Sequence, residues 1–276
     1  MLTLIQTLEI ALPLMYAAVF GVYLRQFLKD SGRDTTGFGG SNFLYATLVT
    51  HIGYLVIRGI HIEHIPVTSR AEFLSLVALC IGLVYAVAER KHGDPNTGIF
   101  FIAMMVATQA WSSWLMEPAP PPAILEDHSV YGVHVLLTVF GFTALAVSAL
   151  YALMYILLTR QLTSRNLGVI FRRLPSLNIL EKMSRLSTLC GVVFLGTGLA
   201  TGHFLAMYVL EDFDFLDPKI VIAYIAWAAY AAGYFVVKLR GLSGIRMAYL
   251  SLIGYLALIA SMVLVNTFLS TFHSFG

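Results

Sequence analysis

The sequence predicts an all-α integral membrane protein, a bundle of about eight transmembrane helices. Of its 276 residues, 58% are hydrophobic and only 12% are charged, whereas a soluble domain has about 25% charged residues. A soluble chain of this composition would expose too much apolar surface to stay dispersed. A strand-based fold is excluded because an open sheet in lipid cannot satisfy the backbone groups at its edges. The whole chain, 1–276, is therefore predicted to be a single polytopic membrane domain.

Eight apolar windows are long enough to span the bilayer, since a helix needs about 20 apolar residues to cross its core. The first window is too long for a cleaved signal peptide and has no basic stretch in front of it. Breaker-rich segments separate the windows from one another. The predicted spans are 5–27, 42–59, 71–89, 98–116, 131–159, 188–209, 219–238 and 247–269.

The segment 160–187, between the fifth and sixth spans, is the longest on its side of the membrane. Pro175 stops any helix that enters it, and Asn178 followed by Glu181 three residues later resembles a capping box. We therefore expect the next helix to begin near Asn178 and to continue directly into the sixth span.

Lysine and arginine are distributed unequally between the two sets of loops. All but three of the 17 basic residues belong to one set, and the other set has only Arg58, Arg70 and Lys219. Because basic residues accumulate in cytoplasmic loops, the richer set is predicted to be cytoplasmic. Both termini then lie on the outer, periplasmic side, and the expected location is the inner membrane of a bacterial cell.

The histidines are concentrated towards the predicted outer side. His134 lies one turn into the fifth span and His273 lies just past the eighth, so both have the same depth. Two imidazoles that face each other can hold a haem iron from both sides. They also fit zinc or copper, although those sites usually need three or four ligands. An acidic outer loop could complete such a site or could simply be solvated; its acids are Glu211, Asp212, Asp214 and Asp217.

Two further histidines, His51 and His203, fall inside spans, where ionisable side chains are costly and are functional candidates. With a rise of about 1.5 Å per residue, their depths agree, so they could form a second, intramembrane haem site. Arg58 follows His51 on the same helical face, where it could meet a haem propionate. Alternatively, both histidines donate hydrogen bonds to neighbouring carbonyls. The glycines before His203 would admit a flat ring or serve helix packing alone; they are Gly196, Gly198 and Gly202.

Four stretches of the chain, taken in order, form a recognisable pattern. HIGYLVIRGIHIEHIPVTSRAEFL combines a histidine with a later Arg, Pro and Glu, and VHVLLTVFGFTALAVSALYALMYILL opens with His134. DPKIVIAYIAWAAYAAGYF follows the acidic loop, and VNTFLSTFHSFG contains His273. Together these stretches resemble the haem-handling membrane proteins of cytochrome c assembly, the CcsA/CcmC/HemX group, over residues 42–276. The resemblance implies that His134 and His273 are outer ligands of a non-covalent, b-type haem.

Two departures from the family pattern favour the HemX-like branch. The outer loop LEDFDFLDPK contains no tryptophan, although the synthases of the family carry several there. The next span has Tyr234 and Phe235 in a region where the synthases have a histidine. We therefore expect that this chain alone does not act as a cytochrome c synthase.

Two functions from different classes remain. In the first, the chain is a haem-binding accessory of cytochrome c biogenesis that holds haem at the outer face. In the second, it is a b-type cytochrome or a structural subunit of a membrane electron-transfer complex. The expected partners are haem, other cytochrome c assembly or electron-transfer membrane proteins, and bilayer lipid; no nucleic-acid partner is expected.

Overall fold

The computed structural model describes residues 1–29, 39–116, 129–165, 168–209, 216, 218–241 and 244–264. Within these ranges the chain is helical and contains no strand. A short 3₁₀ turn, Pro95–Thr97, precedes the fourth helix. The helices are α1 (Leu2–Leu28), α2 (Gly40–Ile62), α3 (Arg70–His92), α4 (Gly98–Leu115), α5 (Ser129–Thr163), α6 (Val169–Arg173), α7 (Leu177–Val209), α8 (Pro218–Leu239) and α9 (Ile245–Leu264).

Eight of the described helices, all except α6, are long and apolar enough to cross a membrane. They coincide in order with the eight predicted windows, so the all-α, multi-pass prediction is confirmed. The last window was predicted to reach residue 269; α9 ends at Leu264, and the following residues lie outside the described ranges. The side of the membrane on which the termini lie stays a prediction.

The connection between α5 and α7 follows the sequence in outline. Helix α6 ends at Arg173, shortly before Pro175, and α7 begins at Leu177 and continues unbroken through the sixth span, as predicted. The predicted capping box is wrong, because Asn178 lies inside the first turn of α7 and is not its N-cap. Glu181 instead forms an ion pair with Arg185, one turn further along, at 2.9 Å.

The chain packs as two compact units. The first unit comprises residues 1–126 and 161–175 and contains α1 to α4 with α6. The second comprises residues 127–160 and 176–276 and contains most of α5 with α7, α8 and α9. Both units are built from spanning helices, and the prediction of a single polytopic domain stays a prediction.

In the first unit, α1 packs against α2 and α4, and α3 packs against α4 and α2. Large tyrosines fill the contacts, and Tyr16, Tyr23, Tyr54 and Tyr85 are buried. Each of these four hydroxyls has a hydrogen-bond partner in a side chain of the same unit. The core of this unit is therefore apolar in bulk but is threaded by polar groups.

In the second unit, a cluster of small hydroxyl side chains joins α5, α7 and α9. Ser148 of α5 lies 2.6 Å from Thr188 of α7, between their side-chain oxygens. Ser251 of α9 lies 3.2 Å from the same Thr188 oxygen. Small polar residues let helices approach closely in lipid and bind one another by hydrogen bonds, which explains their burial here.

Candidate functional site

His134 lies in the second turn of α5, half-buried, with its ring against α7. Its Nδ1 is 2.7 Å from the carbonyl oxygen of Gly198. A carbonyl can only accept, so Nδ1 carries a proton, and in the neutral imidazole Nε2 then carries the lone pair. Within the described ranges, Nε2 has no hydrogen-bond partner. Histidines that bind metals commonly donate their other N–H to a backbone carbonyl, so this tautomer suits coordination through Nε2.

Gly202 makes room for the His134 ring. A Cβ atom added at Gly202 would lie 2.4 Å from Cε1 and 2.5 Å from Nδ1 of His134, far inside van der Waals contact. One turn earlier, a Cβ at Gly198 would lie 2.8 Å from the Thr138 hydroxyl. That hydroxyl donates a hydrogen bond to the His134 carbonyl at 2.7 Å. The position of the imidazole therefore depends on two glycines of α7.

Gly196 accommodates a different ring. A Cβ there would lie 2.7 Å from Cζ2 of Trp227 on α8, and the indole N–H donates to the Val192 carbonyl at 2.8 Å. The three glycines that precede His203 thus each receive a group from a neighbouring helix. The described packing supports the helix-packing interpretation of these glycines; the flat rings that approach them belong to His134 and Trp227.

His203 itself is half-buried on α7 and contacts α8. Its ring meets Tyr224 edge to face, with ring centroids 5.9 Å apart. The Tyr224 hydroxyl donates back to the Leu199 carbonyl of α7 at 3.3 Å. Its predicted partner, His51, belongs to the other unit, and the role of His203 as a haem ligand stays a prediction.

His51 is completely buried in the first unit, and both of its ring nitrogens are engaged. Nδ1 is 2.8 Å from the Tyr16 hydroxyl, and Nε2 is 2.8 Å from the Ser75 hydroxyl. A haem iron would have to displace one of these two groups to reach the ring. The described arrangement favours the hydrogen-bonded alternative for His51, and its role as a haem ligand stays a prediction.

The hydrogen bonds of His51 have a defined direction. Ser75 donates to the Gln109 side-chain oxygen at 3.1 Å, so it accepts from His51, and Nε2 carries the proton. Tyr16 then donates to Nδ1. The chain continues from the Gln109 amide to Ser113 at 3.4 Å, and it links α1, α2, α3 and α4 in one polar path.

Arg58 is also completely buried, and two carboxylates bind its guanidinium. Its Nε lies 2.8 Å from Glu72 and its Nη1 lies 3.1 Å from Glu9. Glu72 additionally closes a capping box with Ser69 at the start of α3. In the described arrangement, Arg58 therefore makes ion pairs that join three helices, and its predicted contact with a haem propionate stays a prediction.

Sequence reasoning missed Glu9 and Glu89, and it named Glu72 only as part of the family pattern, not as a partner of Arg58. Glu9 stands alone in the apolar run of α1, which was itself the available signal, because acids are rare inside spans. The S-x-x-E pattern of Ser69 and Glu72 was a second signal. Glu89, which the sequence analysis did not single out, is buried near the end of α3. It accepts from Tyr23 at 2.7 Å and from Tyr85 and Ser41.

His273, the predicted partner of His134, lies outside the described residues, as do the four acids of the outer loop. Among the residues that the structure describes, no group of three or more His, Cys, Asp or Glu side chains could hold a metal ion. His134 offers one imidazole whose Nδ1–H is already bound to a backbone carbonyl.

The fold is that of a multi-pass, all-helical membrane protein, and the imidazole of His134 in it is held by a backbone carbonyl through Nδ1. The chain matches the Cytochrome C assembly protein family over residues 13–273, and it belongs to that family. The resemblance noted in the sequence is thereby confirmed.

Two relatives of the chain belong to differently named proteins, CcsA and HemX. The cytochrome c biogenesis protein CcsA of Prochlorococcus marinus (strain MIT 9303) is 26% identical over 86% of each chain. The protein HemX of Brevibacillus brevis is 25% identical over 79% of each chain. No solved structure matches the chain.

Proposed function

We propose that the protein binds haem non-covalently at the outer face of a bacterial inner membrane and passes it to other cytochrome c assembly proteins. Family membership supports a role in cytochrome c biogenesis. The observation that carries the haem-binding part is the His134 tautomer, with Nδ1–H donated to the Gly198 carbonyl at 2.7 Å. This hydrogen bond leaves Nε2 able to coordinate.

His134 and His273 are the residues that would hold the cofactor. When bound, haem would supply an iron that accepts imidazole nitrogens as ligands. The Gly198 carbonyl accepts from Nδ1–H at 2.7 Å and thereby fixes the tautomer and orientation of the His134 ring, as outer partners of metal-bound histidines do. Gly202 has no side chain, so the ring can lie close to α7 without a clash. The described residues therefore fit one imidazole ligand of a haem, at His134.

The proposal is tested by absorbance spectra of the purified protein with haem, oxidised and then reduced. We expect His134→Ala and His273→Ala each to weaken the haem band strongly, and the double variant to abolish it. His92→Ala is the matched control, because His92 is exposed near the end of α3. Imidazole added to His134→Ala should restore part of the band. A double variant with unchanged haem content would refute the proposal.

Haem transfer separates a carrier from an electron-transfer subunit. A carrier should release haem to an excess of apomyoglobin within minutes to hours. A b-type cytochrome would keep it and show a reversible redox couple. Retention of the haem in this assay would favour the electron-transfer alternative.

The outer location is tested by cysteine labelling in a chain whose Cys80 and Cys190 have been replaced by alanine. An impermeant reagent added from outside should label a cysteine at position 274 and should miss one at position 164. Labelling at position 164 would overturn the predicted topology and, with it, the outer placement of the site.

Attachment of haem to apocytochrome c is not part of the proposed function. The outer loop LEDFDFLDPK lacks tryptophan and is acidic, which makes it a poor surface for a haem with two propionates. A reconstituted assay with this chain alone should therefore give no covalent cytochrome c. Formation of the covalent product would contradict this expectation.

A further inference from the structure

An open cavity of about 620 Å³ lies on the surface of the first unit, between α1 and α4. Three apolar side chains of α1 line it, namely Ile10, Pro13 and Leu14, and Trp114 of α4 lines it too. Of the lining residues, only Glu9 is charged. The cavity therefore combines an apolar wall with a single carboxylate.

The carboxylate of Glu9 belongs to a group with unbalanced charge. Arg58 supplies one positive charge to two carboxylates, Glu72 at 2.8 Å and Glu9 at 3.1 Å. Glu72 is completely buried, and its second oxygen accepts from the backbone N–H groups of Thr68 and Ser69.

Glu9 accepts fewer hydrogen bonds than Glu72 does. Its Oε1 accepts from Arg58 and, at 3.4 Å, from the Tyr54 hydroxyl. The side chain is 17% exposed, and Glu9 lines the cavity. A cation that entered the cavity would restore charge balance there.

The cavity lies at the depth of the membrane interface. Ser113, two residues before the end of α4 at Leu115, donates to the Glu9 carbonyl at 2.7 Å. Its neighbour Ser112 donates to the carbonyl of Ala71, the second residue of α3, also at 2.7 Å. Glu9 is therefore level with the ends of two spanning helices. Tryptophan is enriched at that depth, and Trp114 is 84% exposed there.

From these observations we infer that the cavity is a binding site for an aminophospholipid of the phosphatidylethanolamine type. The ammonium group lies against the Glu9 carboxylate, and an acyl chain lies along the apolar side chains of α1. An ammonium group donates charge-assisted hydrogen bonds to a carboxylate. A choline head cannot donate them, and an anionic head is repelled. This site is independent of haem binding.

The test compares lipids on the full-length protein purified in mild detergent. Native mass spectrometry should show one phosphatidylethanolamine retained per chain, with about tenfold weaker retention of phosphatidylcholine or phosphatidylglycerol, since a charged hydrogen bond contributes on that order. Phosphatidylethanolamine should also raise the apparent Tm by about 2–4 °C more than phosphatidylcholine does. Equal retention of the three lipids by the parent protein would overturn the proposal.

Variants locate the preference within the molecule. Glu9→Gln should abolish the preference for phosphatidylethanolamine, whereas Glu63→Gln, an exposed glutamate at the end of α2, should retain it. Because Glu9→Gln alters the ion pair of Arg58, Trp114→Ala provides a second variant. The Trp114 side chain is 84% exposed, so its loss should disturb the helix packing little, and it should weaken lipid retention. A preference that survives in Glu9→Gln would show that Glu9 does not bind the ammonium group, and would overturn the site.

Discussion

His51 in the first unit and His134 in the second are both histidines of spanning helices, yet their surroundings are opposite. His51 is completely buried and uses both ring nitrogens, one towards Tyr16 and one towards Ser75. His134 is half-buried and uses one, towards the Gly198 carbonyl. A histidine inside a membrane protein is therefore a candidate ligand when one of its ring nitrogens has no hydrogen-bond partner. Burial alone does not make it one.

The same contrast extends to the charged groups. In the first unit, a guanidinium and two carboxylates are paired inside the helix bundle, at Arg58, Glu72 and Glu9. In the second unit, the packing of α5, α7 and α9 relies on small hydroxyls such as Ser148 and Thr188. Breaking the first kind of contact leaves a charge stranded in a dry interior, which costs far more than the loss of a neutral hydrogen bond.

The largest effect is expected for Arg58→Ala. It leaves Glu72 buried without its cation, and we expect a loss of about 3–5 kcal/mol in the free energy of unfolding. Titration with a denaturing detergent measures it, and Arg70→Ala, an exposed arginine at the start of α3, is the control. Stability equal to that of the control would show that the ion pairs contribute little.

A somewhat smaller loss is expected for His51→Ala. The Tyr16 hydroxyl loses its acceptor, which costs about 1–3 kcal/mol for a buried hydroxyl, and Ser75 loses its donor but keeps its bond to Gln109. We expect a loss of about 2–4 kcal/mol in the free energy of unfolding, with haem content per folded chain unchanged. Loss of half of the haem from correctly folded protein would support the intramembrane haem site and would contradict the contrast drawn between His51 and His134.

The smallest effect on stability, but a specific one on the site, is expected for Gly202→Ala. The added methyl group would lie 2.4 Å from the His134 ring, so the ring must move. We expect haem affinity to fall about tenfold, equivalent to about 1.4 kcal/mol. Gly132→Ala on α5 is the matched control, because a Cβ there meets nothing within 4 Å. Equal haem affinity in the two variants would mean that Gly202 does not position His134.

The helices themselves were predictable to within a few residues. The second window, predicted at 42–59, is the helix Gly40–Ile62. The prediction succeeds because the bilayer core demands a long apolar run, and because a helix satisfies its own backbone hydrogen bonds there. Helix α7 begins at Leu177, well before the apolar window that starts at 188, since its first turns lie outside the apolar run. Hydropathy does not predict such an extension, because the added turns are not apolar. Pro175 did predict it, because it marks where a helix must end and the next one can begin.

For the site, the sequence predicted which residues take part but not the contacts that they make. His134 was named from its position at the start of a span, and the resemblance added its role as a ligand. Neither could show that a carbonyl of α7 would select its tautomer, because Gly198 lies 64 residues away in sequence. Glu9 is a similar case: its partner Arg58 belongs to another helix, and no pattern within either helix announces the pair.

The sequence by itself determined that this protein crosses the membrane about eight times, with a histidine at the start of the fifth span. It could do so because hydrophobic transfer and backbone hydrogen bonding act locally along each helix. Only the tertiary structure decided what each polar group of a span does. Hydrogen bonds of a side chain in lipid depend on which helices meet. At Gly202 and Gly198 the close approach of α5 and α7 brings the Nδ1 of His134 to the Gly198 carbonyl.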